Sequence, residues 1–188
     1  MKNWLIILSV LSLSACSSAP KPIVLSPKVP VTNHQIIAKL PINIQVVDQR
    51  KANYLVEING ASGAERKLLS PATPPRQQLQ KILIAGFNKA NVSVSPQART
   101  QLTFNLEKLL VKVKQSSFDY DATTSIVLKV KGNSSNQTFS KDYTVSGTMN
   151  GAFKLDNSAI EQELNNLIDK LTTDIINDKQ LQSFISQK

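Results

Sequence analysis

The chain is poor in the residues on which most catalytic and metal sites depend. It has one cysteine, one histidine and six glycines among 188 residues. A single cysteine excludes an internal disulfide and leaves no second thiolate for a structural zinc site. The histidine, His34, lies in a proline-rich stretch where no Ser/His/Asp triad can be assembled around it. With no glycine-rich phosphate loop either, the sequence predicts a protein that is not an enzyme and holds no metal or cofactor.

The sequence also has no apolar run long enough to cross a membrane as a helix. Its longest run, at residues 4–13, is about half of the roughly 20 residues that a spanning helix needs. The run follows the positive charge of Lys2 and ends in LSAC at residues 13–16. A charged start, a short apolar run and small residues are typical of a secretory signal peptide, and the cysteine at the cleavage point indicates a lipobox.

We therefore predict a signal peptide at residues 1–15 and acylation of Cys16, which becomes the first residue of the mature protein. An ordinary signal peptide with a chance cysteine is the alternative. Each buried methylene of an acyl chain contributes about 0.8 kcal/mol, so two or more chains anchor a protein stably. Ser17 stands where an aspartate would favour retention at the inner membrane, and we expect the outer membrane, with the protein facing the periplasm.

Acidic residues are outnumbered in this chain. It has 22 Lys and Arg against 13 Asp and Glu, which gives a formal net charge of +9. A basic protein attracts anions, and in the periplasm these are lipid phosphates, lipopolysaccharide, peptidoglycan carboxylates and acidic proteins. Nucleic acid is not expected as a partner, because that compartment holds little of it. A basic surface that only keeps the protein soluble is the alternative.

Prolines gather ahead of the predicted domain, at Pro20, Pro22, Pro27 and Pro30. Proline fixes φ and removes a backbone donor, so residues 16–40 are predicted to be the lipidated cysteine followed by an extended tether. At about 3.1 Å per residue this tether would hold the domain up to roughly 70 Å from its lipid. Residues 41–188 are then long enough for a single folded domain.

Apolar residues recur at strand spacing through much of residues 41–188. Alternation predicts short strands near residues 42–46 and 54–58, and then three consecutive antiparallel strands from residue 102 to residue 151. The alternation changes phase near Glu107 and Lys108, which predicts a β-bulge. In the next strand Phe118 begins an uninterrupted alternation that continues to Val130, which predicts that Phe118 faces the core.

Helical spacing predicts one amphipathic helix over residues 77–91 and a long one near the C-terminus. Ser158 and Glu161 have the spacing of a capping box at the start of the long helix, and a short terminal helix follows near residues 181–185. We expect an α+β fold: a two-layer domain whose mainly antiparallel sheet is covered on one face by two amphipathic helices.

Two pairs of charged residues are weak candidates for chemistry. Asp119 and Asp121 share one face of a predicted strand, where paired carboxylates can bind a divalent cation or take part in acid–base chemistry. A solvated polar face explains the same pattern. Asp48 and Arg50 end the first predicted strand, either as an ion-paired turn or as part of a binding lip.

A set of lysines alternates outward on two neighbouring predicted strands. Once the bulge is allowed for, the set consists of Lys108, Lys112, Lys114, Lys129 and Lys131. These side chains would make the open face of the sheet basic and suited to an anionic ligand, to lipid headgroups or to an acidic partner. Lysines that discourage strand pairing and aggregation are the alternative.

Several stretches of the chain resemble the YajG-type lipoproteins, an uncharacterised family of bacterial envelope lipoproteins. The similar pieces are the lipobox, the strand that leads into VDQR at residues 47–50, and residues 141–153. The C-terminal helix with Asp174 and the ending at residues 181–185 also fit. The resemblance implies an outer-membrane lipoprotein and no established activity or catalytic residue.

Two functions from different classes follow from these observations. The first is a lipid-anchored, non-enzymatic adaptor or assembly factor that binds an envelope protein through an open sheet face or edge. The second is a binding module for an anionic envelope lipid, lipopolysaccharide or glycan, which needs an apolar pocket or the basic face.

Overall fold

The computed structural model describes residues 20–32, 35–38, 40–60 and 66–186. Its strands are β1 (Ile42–Asp48), β2 (Val56–Asn59), β3 (Lys67–Leu69), β4 (Thr100–Gln115), β5 (Asp119–Asn133) and β6 (Thr138–Ala152). Its helices are α1 (Pro75–Lys89), α2 (Asn157–Ile176) and α3 (Lys179–Ser186). The predicted signal peptide, Cys16 and His34 lie outside the described residues.

One six-stranded sheet organises the fold, in the order β3-β2-β4-β5-β6 with β1 also paired to β4. β1 and β2 run parallel to β4 and lie end to end along the same edge of that strand. The pairs β2–β3, β4–β5 and β5–β6 are antiparallel. The predicted α+β fold with a mainly antiparallel sheet is therefore confirmed, and the two parallel pairs make the sheet a mixed one.

The predicted bulge in β4 is present where the alternation changes phase. The register of β4 with β5 shifts between Leu106 and Lys108. Because the extra residue reverses the phase, apolar side chains on both sides of the bulge reach the same core. These buried residues are Leu102, Phe104, Leu106, Leu109, Val111 and Val113.

Three helices pack against the sheet, where the sequence predicted two covering helices. The ring of Phe87 on α1 lies 6.4 Å from that of Phe104, and the ring of Phe184 on α3 lies 5.7 Å from that of Phe139. α2 lies across β6 so closely that a Cβ at Gly147 would collide with the side chain of Glu163. The small α3 is a separate helix because Asp178 caps its first turn, accepting the N–H groups of Gln180 (2.8 Å) and Leu181 (3.0 Å).

The described part of the proline-rich stretch is not a free tether, which corrects the prediction for residues 16–40. Ile23, Leu25 and Pro30 are buried, and Ile23 forms a parallel bridge with Pro71. This N-terminal segment, residues 20–32, passes between α1 and α2, where Pro30 contacts the position of Gly86. Proline composition indicated an extended path correctly, but the apolar residues between the prolines attach that path to the domain.

Side chains of α2 hold the N-terminal segment by its backbone. The N–H groups of Val24 and Ser26 donate to Glu161 Oε1 and Asn165 Oδ1, each at 2.8 Å, and that of Lys28 donates to Asp169 Oδ1 at 2.6 Å. Four residues of a helix rise about 6 Å, close to the rise of about 6.6 Å for two residues of an extended chain. Every second N–H therefore meets every fourth helix residue. A helix offers no free backbone acceptors in its interior, so side chains must supply them.

This use of Glu161 also shows that the predicted capping box is wrong. α2 begins at Asn157 with Asp156 as its N-cap residue, so Ser158 already lies in the first turn. The Ser158 hydroxyl donates to the Asp156 carboxylate, and this hydrogen bond together with backbone N–H groups lowers the pKa of Asp156. Glu161 is therefore free to bind Val24 and does not reach back to the start of its own helix.

Phe118 is a further correction. Its phase with the buried residues of β5 predicted a core position, but β5 begins at Asp119 and Phe118 is 80% exposed. The residue belongs to the turn between β4 and β5, where the strand alternation no longer determines the direction of the side chain.

We expect Ile23→Ala to lower the free energy of unfolding by about 3 kcal/mol, because it opens a cavity at a fully buried site. Val24→Ala is the matched control, since Val24 is 49% exposed and its substitution leaves the backbone hydrogen bond in place. Urea denaturation of the two variants and the unaltered protein would measure the difference. Identical transitions for all three would show that residues 20–32 are not packed in solution.

Candidate partner-binding surfaces

The predicted lysines lie together on the exposed face of β4 and β5. In register, Lys112 faces Thr123, Lys114 faces Asp121 and Lys108 faces Val127. Lys129 and Lys131 stand farther along β5, beside Asn105 and Thr103 of β4. Four of these side chains are exposed and that of Lys129 is partly exposed, so the strand alternation placed all five on the predicted side.

Acidic residues interrupt this lysine face. Asp142 on β6 pairs with Lys129 at 3.4 Å, and Glu57 on β2 lies in register with Lys112. Asp121 is the cross-strand neighbour of Lys114. The face therefore carries separated positive charges between acidic neighbours, an arrangement that suits a partner with its own charge pattern more than a uniformly anionic surface.

Asp119 and Asp121 are both exposed. The Ser116 hydroxyl donates to Asp119, and the same oxygen accepts the backbone N–H groups of Phe118 (3.1 Å) and Asp119 (3.0 Å). These contacts close the turn between β4 and β5. Within the described ranges, no group of three or more His, Cys, Asp or Glu side chains comes close enough together to hold a metal ion.

Asp48 and Arg50 form an ion-paired turn where β1 ends. The Arg50 guanidinium donates two hydrogen bonds of 2.9 Å to the two oxygens of Asp48, and a third of 3.4 Å to the carbonyl of Tyr54. Partial burial alone would raise the pKa of Asp48, but the hydrogen bonds and charge of Arg50 outweigh it and hold that pKa below its ordinary value. The pair fixes the chain as it leaves β1 for β2.

A surface cleft of about 440 Å³ opens beside this turn. It lies where β1 has ended and β2 has not yet begun, so the bulged part of β4 has no neighbouring strand on that edge. Its lining combines cationic and apolar groups with one acid: Gln49, Arg50, Lys51, Ala52, Glu107, Lys108, Leu109 and Leu110. The cleft brings the Asp48–Arg50 turn and one predicted lysine, Lys108, to the same place.

The outer edge of β6 is the longest backbone edge of the sheet. β6 has 15 residues and stands last in the strand order, and within the described ranges β5 is the strand that pairs with it. From Tyr143 to Ala152 it contains no proline and no charged residue. Its exposed face carries Thr144, Ser146, Thr148 and Asn150. The strand was predicted from its alternation, but its place at the edge depends on topology, which local spacing does not reveal.

Asp48→Asn should lower the free energy of unfolding at pH 7 by about 2 kcal/mol, because it leaves a guanidinium that is 6% exposed without its carboxylate. A carboxyl whose pKa is lowered in the folded state stabilises the fold at pH values above its ordinary pKa of 3.8. This contribution to the free energy of unfolding is lost as the pH falls through the lowered pKa. The difference from the unaltered protein, measured by urea denaturation, should therefore shrink as the pH approaches 3.

Asp142→Asn is the matched control, because the Asp142 side chain is 56% exposed where it pairs with Lys129. An exposed pair contributes about 0.5 kcal/mol or less. Equal losses for the two variants would show that burial of Arg50 does not strengthen the Asp48 pair.

Within the described residues, no helix is both long and apolar enough to cross a membrane. Residues 27–186 match the protein family described as "Uncharacterized lipoprotein". Two relatives named uncharacterized lipoprotein YajG, from Escherichia coli strains K12 and O6:H1, are each 21% identical over 183 residues, covering 96% of this chain and 94% of theirs.

Among solved structures, protein XCC0632 from Xanthomonas campestris superposes with a TM-score of 0.60 at 11% identity, covering 88% of this chain and 97% of that chain. At this identity the likeness shows the fold alone. The family match, in contrast, spans most of the sequence, and the chain belongs to the YajG-type family of uncharacterised bacterial lipoproteins.

Proposed function

We propose that this lipoprotein is anchored in the outer membrane by acyl chains on Cys16, faces the periplasm and binds an envelope protein partner without catalysing a reaction. It would serve as an adaptor or assembly factor. The lipobox and Ser17 support the anchor and its membrane, and the family is one of lipoproteins. The partner is inferred from the surface of the sheet.

The observation that carries the partner proposal is the outer edge of β6. Natural proteins protect a sheet edge with charges, prolines, bulges or short strands, because unpaired backbone groups recruit another strand. The ten-residue stretch from Tyr143 to Ala152 has none of these protections, and β6 continues for 15 residues without a break in its register with β5. Such an edge fits a partner that adds an extended strand through main-chain hydrogen bonds.

The exposed face next to this edge would set the specificity. Small hydroxyl side chains on β6 leave room for a partner to approach, and the lysine face follows on β5 and β4. Lys112 and Lys129 would meet acidic groups of the partner, and the acids between them would disfavour a wrong charge pattern. The lysine face is therefore proposed as the steering part of the same interface.

A binding module for an anionic envelope lipid, lipopolysaccharide or glycan is the alternative. The cleft of about 440 Å³ supports it, because Lys51 and Lys108 stand there beside Leu109 and Leu110. That combination fits an anionic headgroup attached to an apolar chain.

Cys16→Ala should abolish incorporation of labelled palmitate and release the protein from the membrane fraction. The acyl chains attach to the substituted sulfur, and no other cysteine can replace it. Metabolic labelling and membrane fractionation of cells would measure both effects. A variant that stays membrane-bound, with neither form labelled, would show that the chain is not anchored in this way.

A photo-crosslinking residue introduced at Ser146 or Thr148 should capture one protein in intact cells, because both positions flank the free edge of β6. Thr148→Lys should weaken that capture roughly tenfold, as expected when about 1.4 kcal/mol of binding is lost. Mass spectrometry would identify the captured protein and any lipid that copurifies with it.

Asn88, which is exposed on α1, is the control position for both the crosslinker and the lysine substitution. Equal capture from Asn88 would contradict an interface at β6. Enrichment of an envelope lipid without a protein would favour the alternative function.

A further inference from the structure

Two phenylalanines stand side by side in solvent at one end of the domain. Phe118 is 80% exposed and Phe153 is 71% exposed. The backbone N–H of Phe153 donates a 2.7 Å hydrogen bond to the carbonyl oxygen of Phe118, so the two residues are held next to each other. We call this pair the aromatic tip. Exposed apolar groups that cluster in this way, with polar residues around them, mark a contact surface.

The backbone keeps both rings away from the core. Phe153 has φ 64°, in the left-handed region that costs a residue with a Cβ roughly 1 kcal/mol. Phe118 lies in the turn that Ser116 closes by accepting its N–H at 3.1 Å. The left-handed backbone of Phe153 and the closed turn at Phe118 therefore hold both rings in solvent. Burial of apolar surface within the domain does not explain this exposure.

The described N-terminal segment enters the domain from this same end. Val24 is bound by Glu161 near the start of α2, and Lys28 by Asp169 farther along, so the N-terminal segment runs in the same direction as the helix. The chain before Val24 therefore leaves towards the beginning of α2. Phe153 lies between the end of β6 and the beginning of α2, which places the aromatic tip at the end where the chain leaves.

The chain between the anchor and the domain is short. Because Ile23 is buried, only residues 17–22 separate Cys16 from packed structure, and fully extended they let Cys16 lie at most about 25 Å from Ile23. Acyl chains held in a bilayer would therefore keep Ile23 within about 25 Å of the membrane surface. The opposite end is roughly 50 Å away, the length of the 16 residues of β4.

Charged residues of both signs stand at the end of the domain that carries the aromatic tip. Lys154 follows Phe153 directly, Lys21 precedes the buried Ile23, and Lys114 stands one residue before the end of β4, all with exposed side chains. Three acids lie at the same end: the hydroxyls of Ser116 and Ser158 donate to Asp119 and Asp156, and Asp121 is the cross-strand neighbour of Lys114. Exposed apolar rings with lysines beside them are a combination that lies in the interface of a bilayer, where the rings supply most of the contact.

We propose that the aromatic tip enters the interface of the bilayer that holds the acyl chains, so that the domain rests on the membrane with the strand ends at Phe118 and Phe153 facing the lipid. This proposal depends on the lipid anchor of the proposed function, and it is independent of the protein partner. The rings would lose their exposure to water, and the adjacent lysines would meet lipid phosphates.

Tryptophan fluorescence tests this contact directly. The only tryptophan, Trp4, lies in the predicted signal peptide, so each variant of the mature protein carries a single reporter. Acylated Phe118→Trp and Phe153→Trp proteins would be reconstituted into vesicles of phosphatidylethanolamine and phosphatidylglycerol containing lipids brominated in their acyl chains. We expect emission from both variants to shift to shorter wavelength and to be quenched severalfold by the bromine.

Ile37→Trp is the matched control. Ile37 is apolar and 79% exposed, and it follows Ile36, whose N–H binds the carbonyl of Ala90 at the far end of α1. Its emission should remain that of a water-exposed indole and should not be quenched. Quenching of all three reporters would overturn the proposed orientation, and a blue shift at Phe118 and Phe153 without vesicles would indicate a protein contact instead.

Vesicle flotation separates failure of this contact from failure of the anchor. If the acylated protein floats, Cys16→Ala does not, and the reporters at positions 118 and 153 remain unquenched, the anchor stands and the membrane contact is wrong. If the protein neither carries an acyl chain nor floats, the anchor fails and the contact that depends on it fails as well.

Discussion

The match in spacing between an extended chain and a helix is the interaction on which the helical layer depends. α2 presents Glu161, Asn165 and Asp169 at every fourth residue, and residues 24, 26 and 28 bring their N–H groups to these acceptors. These hydrogen bonds hold the N-terminal segment so that Ile23 and Leu25 are buried against the core. The same contacts fix the direction in which the chain enters the domain. The packing of this segment therefore also determines the end of the domain to which the proposed lipid anchor would be attached.

The bulged strand β4 is the second constraint. It is long enough to pair β1 with its first half and β2 with its last part, and the bulge between Leu106 and Lys108 keeps both halves facing one core. On its other edge β4 is unpaired between the end of β1 and the start of β2, and the cleft beside Arg50 lies there. One inserted residue therefore keeps the core continuous, and the gap between β1 and β2 opens the surface beside it.

Local spacing was sufficient to predict much of the sheet. The three long strands, the bulge and the outward lysines all depend on period-two alternation, which is a property of neighbouring residues. The parallel pairs of β1 and β2 were not predictable in this way, because strand order is set by the packing of distant segments. β6 was recognised as a strand because of its local alternation. It was not recognised as an edge strand because strand order depends on the packing of distant segments.

The predictions that the structure corrects also failed because contacts between distant segments, or the end of a strand, decide what local spacing cannot. Prolines around residues 20–30 indicate an extended chain, but only the partner surface on α2 decides whether that chain is free or packed. Ser158 and Glu161 have the spacing of a capping box. Glu161 instead accepts the backbone N–H of Val24, because the N-terminal segment passes beside α2. The predicted alternation included Phe118, which lies one residue before the start of β5. Phe118 belongs to a turn that Ser116 closes, and this turn directs its side chain to solvent.

These features together orient the two proposed surfaces relative to the membrane. β6 ends close to the aromatic tip and runs from there for 15 residues, or about 50 Å, towards the end of the domain that carries Ile37. If the tip lies on the bilayer, the unprotected stretch from Tyr143 to Ala152 begins at the membrane and extends away from it. A partner strand that pairs with this edge would then run from the lipid surface away from the membrane, so the anchor would set the direction in which the edge is presented to that partner.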